Sequence, residues 1–198
     1  MAGLATVEAC IDLQRFGHPV LMGQLDHQQS SSGEIFSFEY DRNWLEQPEV
    51  FSFDPDLALA TGHQYPAPQR NDFGIFLDSA PDRWGRVLMQ RRENVRARQE
   101  KRKPRALTER DYLLGVHDET RLGALRFRES TNTPFIDSDA GFSAPPLTSL
   151  RELQATSLQF EKHIDDEDNP LYEKWVIQLF APGSSLGGAR PKASVRRS

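Results

Sequence analysis

The sequence predicts an α+β fold: a small antiparallel N-terminal sheet with helices packed on it, followed by a helical segment. Three observations predict it. Period-two hydrophobic alternation runs through the first forty residues. Helical spacing and helix-start signals dominate beyond residue 80. A Ser-, Thr-, Pro- and Asp-rich stretch at 130–146 separates the last helices from the rest.

The strands come first. Val7, Ala9, Ile11 and Leu13 alternate with Glu8, Cys10, Asp12 and Gln14, which gives one apolar face. After the turn signal Phe16-Gly17-His18-Pro19, Val20 to Leu25 reads as a second strand. Phe36, Phe38 and Tyr40, alternating with Ser37 and Glu39, read as a third. Short turns between them imply a meander whose open edges need cover.

Residues 41–72 read as irregular, with a short helix near Trp44. Pro81 and Asp82 then open a longer helix, because Pro fits a first turn and Asp suits the positive end of the dipole. Trp84, Val87, Leu88 and Val95 form its stripe to about residue 100, and Pro104 is expected to stop it. Thr108 with Asp111 signals a capping box and a short helix, and Leu122 to Phe127 reads as a strand. Beyond the linker, Ser149 with Glu152 starts a helix to about His163. Leu171, Trp175, Val176, Leu179 and Phe180 make one face of a last helix. The expected division is 1–129, a linker at 130–146, and 147–198.

Composition excludes several classes. The chain has 198 residues, enough for a real core, and 12 Phe with 3 Trp argue against global disorder. One cysteine, Cys10, excludes an internal disulfide and a Cys-rich zinc site. The five histidines show no metal-ligand spacing, and no serine sits in a nucleophile elbow. The acidic run Asp165 to Asp168 lacks the Gly and Glu of a calcium loop. No leader and no membrane-spanning run are evident, so the expected compartment is the cytoplasm, with no metal site and no membrane partner.

Two segments could carry binding chemistry. Pro182 to Lys192 is rich in Gly and Ser, which suits either backbone cradling of phosphate or a flexible linker. It is not a Walker loop, because Ala189 and Arg190 stand where Lys and Ser/Thr are required. The basic stretch Arg91 to Arg105 includes Arg91, Arg92, Arg96 and Arg98. It suits nucleic-acid phosphates or, equally in kind, the solvated face and end of a helix.

Three segments together resemble the HipA family of toxin–antitoxin Ser/Thr kinases. Leu77 to Arg86 (LDSAPDRWGR) resembles the family's DSLPDRWGR helix start. Leu113 to Phe127 (LLGVHDETRLGALRF) resembles its LLGVxDxxRxGALRF turn and strand, and Gly183 to Lys192 resembles its SSxGGARPKA loop. The resemblance covers about residues 70–195. It implies that 147–198 begins a kinase-like N-lobe whose loop lies over ATP phosphates in the intact, Mg2+-dependent kinase. By motif position the nucleotide-loop residues are Ser184, Ser185, Gly187, Gly188, Ala189 and Lys192, with Ser185 the candidate for inhibitory autophosphorylation. A phosphate there adds roughly −1.5 to −2 of charge where ATP phosphate sits.

A kinase also needs a catalytic Asp, a metal-binding Asn or Asp and a strand Lys after that loop. Only six residues follow Lys192, so the expectation is the N-terminal portion of a kinase, with no catalytic residues, inactive alone and binding neither ATP nor Mg2+ strongly. That expectation leaves the face of Leu171, Trp175 and Leu179 incompletely covered. Alternatives are a stand-alone regulatory or antitoxin-type module that binds a HipA-like kinase core, and a nucleic-acid-binding module using Arg91 to Arg105. The partners implied are an antitoxin or a kinase core, with DNA reached only through such a complex.

Overall fold

The computed structural model describes residues 4–30, 33–70, 72–118, 121–136, 150–166 and 169–183. The fold is α+β; among the described residues it has a four-stranded antiparallel sheet in the order β3-β2-β1-β4 and six α-helices. Two compact units emerge, neither contiguous: residues 1–79 with 122–136, and residues 80–121 with 137–198. Residues 80–121 therefore cluster with the last helices and not with the sheet, whereas composition suggests a linear division.

In unit 1, β1 (Ala5–Ile11), β2 (Val20–Ser30) and β3 (Gly33–Tyr40) form the expected meander. β4 (Leu125–Arg128) pairs on the free side of β1, Ile11 opposite Leu125 and Glu8 opposite Arg128. It starts later than the sequence suggests, because Gly123 has φ +88° and turns the chain just before it. Phe36, Phe38 and Tyr40 are buried as expected.

Cys10 is fully buried, against its place on the polar side of the alternation. β1 is central, and register puts Cys10 on one face with Glu8, Arg126 and Arg128. Arg128 Nε donates to Glu8 at 2.7 Å, and Phe135 stacks under the Arg126 guanidinium at 3.9 Å. Long arginine stems thus cover this face, and burial raises the thiol pKa.

The stretch after β3 is irregular but tied. α1 (Arg42–Leu45) is capped by Asp41, which accepts from Asn43 N–H at 2.9 Å, and it buries Trp44. Buried Asp54 accepts from Asp56 N–H at 2.9 Å and from Ile75 N–H at 2.8 Å. The second bond satisfies the start of α2 (Gly74–Ser79), a helix the sequence patterns do not announce. Phe76 on α2 packs against Phe38, Phe73 and Phe127, with ring centroids 5.5–6.1 Å apart.

Unit 2 holds α3 (Arg83–Gln99), α4 (Glu109–Leu114), α5 (Leu150–Lys162) and α6 (Tyr172–Gly183). Trp84, Leu88 and Val95 of α3 share a core with Phe160, Tyr172, Trp175, Val176 and Leu179. The α6 face is therefore covered by α3 and α5, which overturns the expectation of incomplete cover for Trp175 and Leu179. Leu171 stays 52% exposed, just before the helix begins. The Phe180 side chain and the Ser149 cap lie outside what is described.

α3 stops before Pro104 acts. Lys101 takes a left-handed φ of 54°, Arg102 N–H donates to Ala97 O at 2.9 Å and Lys101 N–H to Arg98 O at 3.1 Å. This is a Schellman closure without glycine, and the missing glycine hid it from the sequence.

Gly23 on β2 is fixed by close approach. A Cβ there would lie 2.2 Å from Glu39 O and 2.5 Å from Phe38 Cζ. Gly23→Ala should destabilise the protein by about 1–3 kcal/mol, read from urea unfolding, whereas unchanged stability would show that β2 and β3 are less closely apposed.

Candidate functional site

The nucleotide-loop residues Ser184, Ser185, Gly187, Gly188, Ala189 and Lys192 all lie outside the described residues. The other two segments of the resemblance are described, and each of their distinctive residues has a defined task.

In the first segment, Asp82 caps α3 by accepting from Trp84 N–H at 3.2 Å. Trp84 is buried and meets Phe160 edge-on, with centroids 5.9 Å apart. Arg86 Nε donates to Pro81 O at 3.1 Å, and its two terminal nitrogens fork onto Glu109 at 2.7 and 2.6 Å. The same guanidinium lies 4.5 Å from the Tyr112 ring centroid. A planar fork matches a carboxylate in a way lysine cannot, and this hydrogen bond to Glu109 raises the Arg86 pKa.

In the second segment, Gly115 ends α4 where no side chain fits. A Cβ there would lie 2.7 Å from Asp111 O and 2.9 Å from Met89 Cε. Buried Arg121 donates to Leu113 O at 2.8 Å and Val116 O at 3.1 Å, placing a cation on the carbonyl end of α4. Burial pushes its pKa down to about 10. The α4 start carries the capping box in full: Asp111 N–H donates to Thr108 Oγ1, and Thr108 N–H to Asp111 Oδ2 at 2.9 Å.

The basic stretch lies on α3 and the loop after it. Arg91 pairs with Asp165 at 2.9 Å. Arg92 is largely buried, and burial followed by the neighbouring Arg96 pushes its pKa down to about 10. Arg96 Nε is 3.8 Å from Glu100, and Arg98 is exposed near the helix end. Arg102 forks onto buried Glu93, Arg105 N–H donates to the same carboxylate at 3.0 Å, and Arg105 forks onto Asp111 at 2.6 and 2.8 Å. These cations are committed within unit 2. They fold the loop back on α3 and leave little of a continuous phosphate-binding stripe.

Sequence reasoning missed one feature. Unit 1 contains a cleft of about 670 Å³. Asp78 and Ser79 of the first segment and Leu122, Gly123, Ala124 and Leu125 of the second all line it, so two segments of the resemblance meet at one place. Both runs were visible in the sequence, but their proximity depends on pairing β4 with β1. Among the described residues, no three His, Cys, Asp or Glu side chains converge as a cation site. None of those residues forms a helix long and apolar enough to cross a membrane.

Compared with protein-family models, curated proteins and solved structures, the chain matches none.

The Glu93 cluster makes stability depend on pH. The Arg102 hydrogen bond chiefly, with the Arg105 N–H, holds the Glu93 pKa below its ordinary value despite burial. Burial opposes the same effect at Asp111, where Arg105 and Thr108 outweigh it and the pKa again falls. A depressed carboxylate stabilises the fold fully above the unfolded range, near pH 4, and this is lost as pH falls through the lower folded values. Glu93→Gln should cost about 1–3 kcal/mol at pH 7 and flatten the acid limb of a stability–pH profile. An unchanged acid limb would remove Glu93 from that role.

Proposed function

We propose that the chain is the N-terminal portion of a HipA-like Ser/Thr protein kinase, a scaffold that presents the Gly/Ser loop and does not transfer phosphate alone. One observation carries this reading. The residues that make the resemblance specific, Trp84, Arg86, Gly115, Arg121 and Gly123, each meet a demand of the fold: core, fork, close approach, carbonyl cap and turn. That the residues quoted for the resemblance occupy five structurally demanding positions supports the reading. The reading places Ser184, Ser185, Gly187, Gly188, Ala189 and Lys192 at the ATP phosphates of an assembled kinase, with Mg2+ held by groups outside this set.

The regulatory reading differs in predicting tight binding to a separate HipA-like kinase core. The nucleic-acid reading is weakened by the ion pairs of Arg91, Arg102 and Arg105.

Incubation of the purified full chain with γ-labelled ATP and Mg2+ tests the proposal. Expected is no label on the chain or on added basic protein. Label on Ser184 or Ser185 should appear when a complete HipA-like kinase is added. Transfer by the chain alone would overturn the non-catalytic assignment. Tight binding to a kinase core that blocks the core's own transfer would favour the regulator.

A further inference from the structure

We propose that the cleft in unit 1 is a binding site for a small apolar zwitterion of amino-acid to dipeptide size. Its volume of about 670 Å³ lies within the roughly 300–1,000 Å³ typical of small-ligand sites. Its walls include Ile11, Phe51, Phe53, Ile75, Leu122 and Leu125, drawn from the end of β1, the loop after α1, α2 and the turn before β4. The Phe51 and Phe53 rings sit 4.2 Å apart and tilted, and Phe53 backs onto buried Trp44 at 5.6 Å. An apolar body thus meets a wall that is already packed from behind.

Two opposite charges line the same cleft. The Arg15 guanidinium lies against two rings, 4.5 Å from the Phe51 centroid and 4.7 Å from that of Phe16. Its ion-pair partner Glu49 is 3.8 Å from Nε, beyond hydrogen-bond reach, and that carboxylate is itself mostly exposed. Among the described residues, no acceptor receives a hydrogen bond from Arg15. A flat fork held in this way is suited to a carboxylate. Asp78, at the end of α2, also lines the cleft, is exposed, and has no hydrogen-bond or ion-pair partner among the described residues.

A purely anionic ligand would meet Asp78 and a purely cationic one would meet Arg15. A ligand bearing both charges on an apolar body satisfies both. This inference is independent of the kinase-like reading, since it uses only unit 1.

Calorimetric titration of the full chain with L-leucyl-L-phenylalanine tests it. Phenylacetate, phenethylamine and N-acetyl-L-phenylalaninamide serve as anion-only, cation-only and uncharged arms. The dipeptide should bind one to one and roughly tenfold more tightly than any arm, about 1.4 kcal/mol. Arg15→Gln should weaken the dipeptide and phenylacetate roughly tenfold and spare phenethylamine, and Asp78→Asn should weaken the dipeptide and phenethylamine roughly tenfold and spare phenylacetate. Both side chains are exposed, so neither variant should disturb folding, and Leu122→Glu should weaken every probe. No binding by any probe would overturn the proposal. So would an uncharged arm that binds as well as the dipeptide, or affinity unchanged in both charge variants.

Discussion

A helix of six residues cannot hold itself in water, and α4 in unit 2 depends on side chains from its neighbours. α4 is fastened at every exposed point. Thr108 and Asp111 close its N-terminus, and Arg105 clamps the capping carboxylate from outside. Arg86 reaches from α3 to grip Glu109, and Arg121 takes the carbonyls at the other end. Gly115 omits the side chain that would clash with the Asp111 carbonyl of α4 and crowd Met89 of α3. Each contact substitutes for helix length. Of the basic stretch, Arg105 joins this fastening, and Glu93 extends it by anchoring the loop between α3 and α4 through Arg102 and the Arg105 N–H.

This changes how the resemblance is understood. A run such as LLGVHDETRLGALRF looks like a functional signature, yet its glycines and its buried arginine answer questions of geometry. Gly115 permits an approach, Gly123 permits a turn, and Arg121 neutralises a helix end. The proposed kinase-like reading therefore draws its support from residues that hold this fold together, while the loop that would touch nucleotide lies outside the described residues. The apolar cleft is a separate consequence of the same framework, because it forms where α2 and the turn before β4 both reach the end of β1.

Much of the fold was legible locally. Period-two alternation marked three strands, Asp82 marked the start of α3, and the Thr108–Asp111 spacing marked α4. What escaped depended on residues distant in sequence or on unusual backbone. Lys101 occupies a conformation usually given to glycine, so the end of α3 falls where the apolar stripe ends but is closed by Lys101 and not by Pro104. The start of α2 is bonded to Asp54, some twenty residues earlier, and no local signal reports that bond. Cys10 is buried by the stems of Arg126 and Arg128 together with Phe135, all more than 100 residues away. The cover over Trp175 and Leu179 comes from α3 and α5, and helical periodicity identifies a buried face without naming what buries it. At the candidate sites, residue type indicated charge, but only the fold shows which charges are already paired.

The residues carrying the resemblance act as supports of the fold. A double-mutant cycle on Arg86→Met and Glu109→Gln, read by equilibrium unfolding at pH 7, tests this most directly. The forked pair, about two-thirds or more buried on each side, should show a coupling energy of about 1–3 kcal/mol, with the double variant less destabilised than the sum of the singles. Additive effects within about 0.5 kcal/mol would contradict the claim and leave Arg86 without the structural role that the geometry gives it.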